Sequence, residues 1–98
     1  MEGDSFYVDF ERIRKVDGYV YFWVLSDWLK PSPGGFLSDK RYQQVDCKLF
    51  RTKLLSLSNH PQSMGRGVGT THTLKNPDWE YPAPDSVEEF LLELVCNH

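Results

Sequence analysis

The fold is decided by the stretch Gly18-Tyr-Val-Tyr-Phe-Trp-Val-Leu25. Every residue after the glycine is aromatic, β-branched or leucine, the types that a buried, pleated strand favours. Because side chains alternate along a strand, Val20, Phe22 and Val24 share one face. Both faces are apolar, so the pattern predicts a central strand that is covered on both sides. The second face carries Tyr19, Tyr21, Trp23 and Leu25.

A hairpin turn precedes this strand. Asp17-Gly18 is a two-residue turn signal, and residues 13–16 before it have the composition of a short strand. Gly18 can adopt the positive φ of the second turn position at little cost. The turn therefore predicts a hairpin and sets the register of the central strand.

The remaining strands are expected on both sides of this hairpin and are separated by breaks rich in proline and glycine. Pro31-Ser-Pro-Gly-Gly35 predicts an exposed loop, because proline cannot donate to a strand ladder and glycine resists ordering. A second long break covers residues 59–69, and a proline-punctuated connector covers residues 76–84. The additional strands are predicted at residues 5–10, 38–51, 52–58 and 70–74.

A C-terminal helix is predicted over residues 85–96. Ser86-Val-Glu-Glu89 is a capping box, and acidic residues lie where the helix dipole favours them. An apolar stripe follows at helical spacing, which indicates a helix packed on the sheet. The chain is thus one α+β domain of residues 1–98, with the sheet and loops in 5–83. The stripe consists of Val87, Phe90, Leu91, Leu94 and Val95.

Composition limits the possible functions. A chain of 98 residues with a formal net charge of -3 lacks the basic field that nucleic-acid binding needs. No apolar stretch approaches the roughly 18 residues that span a bilayer. The N-terminal Met-Glu-Gly-Asp-Ser-Phe has no signal-peptide pattern. It fits either a cytosolic protein or the mature part of an exported one with Met1 added.

The two cysteines, Cys47 and Cys96, leave two possibilities open. Their number is compatible with one disulfide, and their spacing matches no redox or zinc motif. Two buried free thiols are the alternative. A bridge would close a loop of about 50 residues and contribute roughly 4 kcal/mol.

The residues capable of chemistry form no convincing active site. The Met64–Gly69 segment contains GxGxG, but no Lys-Ser/Thr and no helix follow, so a surface loop is the interpretation. The three histidines (His60, His72 and His98) are too dispersed for a metal site. No catalytic, cofactor-binding or metal residue is predicted. The sequence predicts that the remaining candidates are caps and solvated loop, edge or surface residues: Asp46, Ser56, Ser58, His60, Glu88 and Glu89.

Candidates for recognition are aromatic residues on rigid loops and the exposed glycine loop. Trp79 and Tyr81 lie in the proline-held connector and are typical binding anchors, although for Trp79 the favoured interpretation is that it covers the core beside the helix. Exposed sheet edges also allow strand addition, either with a peptide or in a homodimer. The predicted binding surface comprises Trp28, Phe36, Met64, Arg66, Trp79 and Tyr81.

The chain has only one helix to cover the two apolar faces of residues 18–25. The second face must be covered by loops, by curling of the sheet or by a partner. An uncovered second face would be the place to look for binding.

The order of these signals resembles the bacterial surface-adhesin protein E-like family, over residues 6–96. Each motif is short, and the resemblance depends on their sequence order together with the two cysteines. The motifs are Tyr7-Val-Asp9, Ile13-Arg-Lys-Val-Asp-Gly18, Val20-Tyr-Phe-Trp-Val-Leu-Ser-Asp27, Ser38-Asp-Lys, Val45-Asp-Cys47, Met64-Gly65-x-Gly67, Trp79-Glu-Tyr-x-x-Pro84 and Ser86-x-x-Glu-x-x-x-x-x-Val-Cys96.

The resemblance implies an exported protein, periplasmic or on the cell surface, in which Cys47 and Cys96 form a disulfide. It implies a twisted antiparallel sheet of about five to six strands with one C-terminal helix, and it supplies no catalytic residues or cofactor. The expected function is non-enzymatic binding of a protein or surface polymer through loops 31–36 and 59–69 or a sheet edge. The alternative is a periplasmic domain that binds a small ligand or supports the envelope, without adhesion.

Overall fold

The computed structural model describes residues 4–98. Among them, six strands form one antiparallel sheet in the order β1-β3-β4-β5-β6, with β2 also paired to β3. Residues 1–3 lie outside the described residues; they begin the N-terminal segment, which has no signal-peptide pattern. The elements are β1 Ser5–Val8, β2 Arg14–Val16, β3 Tyr19–Asp27, β4 Ser38–Asp46, β5 Arg51–His60, β6 Thr70–Thr73 and α1 Val87–Cys96.

The predicted hairpin between β2 and β3 is confirmed. Asp17 and Gly18 have φ values of 53° and 84°, as a two-residue hairpin turn requires. β2 pairs with the first part of β3 and β1 with the last part, so two short strands share one edge of the central strand. The first strand is shorter than predicted, because a 3-10 turn at Phe10–Arg12 follows it.

The boundary predicted between residues 51 and 52 is wrong, because a turn occupies residues 47–50. Asp46 Oδ1 closes this turn by accepting hydrogen bonds from the backbone N–H groups of Lys48 (3.1 Å) and Leu49 (3.2 Å). β5 then runs on to His60, beyond the predicted end at residue 58. Cys47 therefore lies in the turn after β4 and not within the strand.

α1 covers one face of the sheet. Its N-terminus is capped as predicted, since the N–H of Glu89 donates to Ser86 Oγ at 3.1 Å. The sheet contributes alternate residues of β3 and Val45 of β4 to a core that contains no solvent-exposed member. The core residues are Val20, Phe22, Val24, Val45, Leu91, Leu92 and Val95.

The predicted disulfide between Cys47 and Cys96 is confirmed, with the Cα atoms 5.8 Å apart. It also explains why the predicted helix stripe is partly wrong. Cys96 must face the sheet, so Leu92 and Glu88, one and two turns earlier, face it as well. Leu92 is fully buried, whereas Phe90 is 56% exposed.

Candidate binding surface

The second face of β3 lies on the side of the sheet opposite α1. Its side chains are half-buried, whereas those of the first face are buried. The prediction that both faces are covered therefore holds fully only for the helix side. Loop segments cover the second face at its two ends.

Trp79 covers the end where β3 begins. Its ring stacks on Tyr19 with 5.8 Å between centroids, and two cations of β5 lie against it. Arg51 Cζ is 4.4 Å and Lys53 Nζ 4.5 Å from the centroid of the indole, distances typical of cation–π contacts. Trp79 thus packs on the face of the sheet opposite α1, and the expectation that it covers the core beside the helix is wrong.

The glycine loop covers the opposite end. The backbone N–H of Met64 donates to Asp27 Oδ1 and that of Gly65 to Ser38 Oγ, both at 2.8 Å. Gly65 has φ 72°, and a Cβ there would collide with Lys40 Cε. The glycines therefore serve close packing of a tight loop on the sheet.

Between these ends, β3 and β4 present a half-exposed aromatic cluster. The rings of Trp23 and Tyr42 lie 4.7 Å apart, and those of Tyr21 and Tyr42 lie 6.2 Å apart. These separations are within the favourable range for aromatic pairs. With Tyr19 and Trp79 at the covered end, this cluster forms the aromatic row, which consists of five half-buried residues: Tyr19, Tyr21, Trp23, Tyr42 and Trp79.

Cations and polar groups frame the aromatic row. Strand register places Arg14, Tyr21, Gln44 and Lys53 side by side on four neighbouring strands, and directly opposed residues share a face. On the strands, this face carries four cations and two carboxylates, a formal charge of +2 (4 − 2) in a chain of net charge -3. These charged residues are Arg14, Lys40, Arg51, Lys53, Asp27 and Asp46.

Asp46 neutralises one of these cations. Burial alone would raise its pKa, but hydrogen bonds from the Leu49 N–H, Arg51 and the Lys48 N–H lower the pKa below its ordinary value. Its Oδ2 accepts from Arg51 Nε at 3.1 Å. Arg51 is therefore held in an ion pair beneath Trp79, whereas Arg14 and Lys40 are exposed.

A cleft of about 400 Å³ adjoins the aromatic row at the edge formed by β1. Trp23 and Leu25 of β3 form its floor, and Tyr7 and Lys40 border it on neighbouring strands. Asp9 and Arg12, which form an ion pair at 3.5 Å, complete its rim. The row thus continues into a depression with both apolar and charged walls.

The carboxylate of Glu88 is not solvated surface as predicted. It is half-buried against the sheet, where Arg41 of β4 and Glu80 border the same cleft of about 340 Å³. Burial raises the pKa of Glu88, and Arg41 opposes this rise. Burial likewise raises the pKa of Asp39, which forms a 3.9 Å ion pair with Arg41. The helix side therefore concentrates carboxylates, in contrast to the aromatic side.

His60 is buried, so its interpretation as a solvated loop residue is wrong. Its Nε2 lies 2.7 Å from Ser58 Oγ, and its Nδ1 lies 3.3 Å from the carbonyl oxygen of Gly67. The loop can close over the ring because Gly69 has no Cβ, and a Cβ at this position would lie only 2.5 Å from His60 Cε1. Asp46 lies at the other end of β4, about 26 Å away, so no triad forms.

The six residues predicted as a binding surface do not come together. Trp28, Phe36, Met64 and Arg66 lie near the end of the sheet formed by Asp27 and Ser38. Trp79 lies at the opposite end. Tyr81, 66% exposed, borders the helix-side cleft. Their role in binding stays a prediction.

The family assignment follows from the sequence as a whole. A sequence model described as "Surface-adhesin protein E" matches residues 1–97. The chain belongs to the surface-adhesin protein E family. A comparison with curated protein sequences gives no match. The description of the family places the chain among exported, adhesin-type proteins of the cell surface.

Solved structures of Haemophilus influenzae protein E share the fold of this family member. The Se-Met form has a TM-score of 0.75 at 15% identity, covering 100% of this chain and 88% of that one. Crystal form II has a TM-score of 0.74 at 16% identity, covering 94% and 80%. Protein E from a non-typeable strain has a TM-score of 0.69 at 15% identity, covering 98% and 71%.

Residues 4–98 contain neither a membrane-spanning helix nor a cluster of potential metal ligands. No helix among them is long and apolar enough to cross a membrane. Their His, Cys, Asp and Glu side chains form no group of three that could hold a metal ion.

The alternation of residues 18–25 indicates the second face of β3 but not the residues that pack on it. Alternation in β4 places Tyr42 and Gln44 on a common face, yet only the register with β3 shows that they meet Trp23 and Tyr21. The contact between Trp79 and Tyr19 joins residues 60 positions apart, and no local pattern predicts it.

Proposed function

We propose that this protein is a non-enzymatic surface adhesin that binds an extracellular polymer through the aromatic row. The observation that carries the proposal is the contiguous cluster of Tyr21, Trp23 and Tyr42, half-exposed on the face away from α1. Aromatic and arginine side chains dominate binding hot spots, and Arg14 lies directly beside Tyr21.

The position of the cluster on central strands suits binding. β3 and β4 pair along nine residues, and their opposite face is the fully buried core. Side chains on such a scaffold lose little conformational freedom when a partner binds, which favours affinity. The proposed surface differs from the loops and edges expected from sequence, and strand pairing in a homodimer stays a prediction.

A non-enzymatic role is supported by family membership and by the one Ser–His contact of the described chain. Ser58 and His60 touch, but the Gly67 carbonyl occupies Nδ1, the position where a catalytic carboxylate would orient the ring. The glycine loop also closes over the imidazole.

The proposal is tested with Trp23→Thr and Tyr42→Thr, which keep β propensity and remove the rings. We expect each variant to lose at least about tenfold in binding to immobilised extracellular-matrix extract, since central aromatic anchors contribute about 2 kcal/mol or more. Binding is measured by surface plasmon resonance, with urea unfolding as a check on folding.

The matched control is Tyr81→Thr, which removes an exposed ring on the helix side. It should bind like the unmodified protein. Folded Trp23→Thr and Tyr42→Thr proteins with unchanged binding, or a loss confined to Tyr81→Thr, would refute the aromatic row as the binding surface.

A second candidate, binding of a small polar ligand in the periplasm, is favoured by the helix-side cleft. Arg41, Glu80 and Glu88 together offer one cation and two carboxylates to a molecule that carries both charges. Thermal shifts with a panel of free amino acids test it, and a shift abolished by Glu80→Gln is the supporting result. Equal shifts with and without Glu80 would exclude this cleft.

A further inference from the structure

We infer that the polymer recognised by the aromatic row is an anionic polysaccharide, a chain of sugar rings bearing carboxylate or sulfate groups. This inference rests on the proposed function. It follows from the spacing of charge and aromatic surface along the sheet.

The charges lie at the two ends of one line across four strands. Arg14 of β2, Tyr21 of β3, Gln44 of β4 and Lys53 of β5 are successive cross-strand neighbours. Three strand spacings separate the two cations by about 14 Å at the Cα atoms. An extended polymer lying across the strands meets a cation, a ring, an amide and a second cation in turn.

The surface between the cations matches the chemistry of sugars. Pyranose rings have apolar C–H faces that pack on aromatic rings and hydroxyl groups that need hydrogen-bond partners. Tyr21, Trp23 and Tyr42 provide the rings, packed against one another and held on the sheet. Gln44 lies beside Tyr21, and Ser56 lies beside Tyr42.

Charge density distinguishes this partner from nucleic acid. Double-stranded DNA carries one charge per about 1.7 Å, and its binding depends on many closely spaced cations. Arg14 and Lys53 lie about 14 Å apart, and Arg51 beside Lys53 is paired with Asp46. Cations so sparse, on a protein of net charge -3, do not suit a densely charged chain. A polysaccharide with one acidic group every one or two sugars carries a sparser charge that this spacing suits.

The experiment measures binding of the full chain to hyaluronan, chondroitin sulfate and alginate, with dextran as the neutral polysaccharide. Poly-glutamate and oligo-dT represent acidic polypeptide and nucleic acid. We expect at least one acidic polysaccharide to bind in preference to all three comparison polymers. Its affinity should fall as salt rises from about 50 to about 200 mM, because the attraction between exposed charges is screened.

Arg14→Gln/Lys53→Gln should weaken that binding at least about tenfold and reduce its salt dependence. The matched control is Lys30→Gln/Lys75→Gln, which changes the net charge equally at exposed positions outside the row. The control should bind within about twofold of the unmodified protein. Urea unfolding verifies that both double variants are folded.

Several outcomes would overturn the inference: no binding to any acidic polysaccharide, equal binding to dextran, poly-glutamate or oligo-dT, or equal losses in both double variants. The results that refute the proposed function differ from those that refute only this inference. If Trp23→Thr abolishes binding to matrix extract while no acidic polysaccharide binds, only the polysaccharide inference fails. If Trp23→Thr changes neither assay, the aromatic row is not the binding surface.

Discussion

Gly65 is the residue at which the glycine loop meets the aromatic side of the sheet. Its N–H donates to Ser38 Oγ, and its missing Cβ leaves room for the end of the Lys40 side chain. Lys40 also borders the cleft beside Trp23. A single glycine therefore determines both the course of the loop and the placement of a cation on the proposed binding surface.

We expect Gly65→Ala to destabilise the protein by about 1–2 kcal/mol, because alanine at positive φ is strained. Gly35→Ala is the control, since Gly35 has φ 82° and open space around it. Both variants lose the conformational freedom of glycine, and only Gly65→Ala also displaces Lys40. In a Lys40→Ala background, the two substitutions should therefore lower the free energy of unfolding by similar amounts, as measured by urea unfolding. A larger cost for Gly35→Ala would contradict this account.

The orientation of α1 depends on its covalent link to the sheet. The capping box and apolar content predicted the helix, but 3.6-residue periodicity alone favoured a stripe through Phe90 and Leu94. The disulfide turns Leu92 and Glu88 toward the sheet instead. Similarly, the turn at residues 47–50 depends on the Asp46 side chain, a capping interaction that strand alternation cannot indicate.

We expect removal of the disulfide to cost roughly 4 kcal/mol, because the bridge closes a loop with a sequence separation of 49 residues. The variant Cys47→Ser/Cys96→Ser tests this at equilibrium by urea unfolding, with the m-value as a check for residual structure. Ser86→Ala, which removes only the helix cap, should cost about 1 kcal/mol. A double serine variant no less stable than Ser86→Ala would show that the bridge does not hold α1 in place.

The whole molecule separates charge between its two sides. Asp39, Glu80 and Glu88 lie on the helix side with Arg41, whereas the aromatic side carries the excess of cations. The sequence shows only the sum, a net charge of -3, from which an attraction for anions is not evident. This separation arises from the strand register and from the orientation of α1 on the sheet, so it becomes visible only in the folded chain.

The shifted pKa values of two carboxyl groups, Glu88 and Asp46, make the stability of the protein depend on pH. Burial raises the pKa of Glu88; Arg41 opposes that rise and Glu80 adds to it. The folded state therefore binds the Glu88 proton more tightly than the unfolded state. The resulting stabilisation is complete below the ordinary carboxyl pKa and is lost as pH rises through the folded-state value. Asp46, whose pKa is lowered, stabilises above the ordinary value, and its contribution is lost as pH falls.

We expect the Tm of Glu88→Gln, measured relative to that of the unmodified protein, to increase as the pH rises from about 4 to about 8. The reason is that glutamine carries no charge to bury. The Tm of Asp46→Asn, relative to that of the unmodified protein, should instead decrease over the same pH range, since this variant lacks the ionised acceptor of the 47–50 turn. Scanning calorimetry resolves the difference, as 1 kcal/mol shifts the Tm of a domain this size by about 4–8 °C. Parallel pH profiles for Glu88→Gln and the unmodified protein would mean that the carboxyl group of Glu88 reaches water in the folded state.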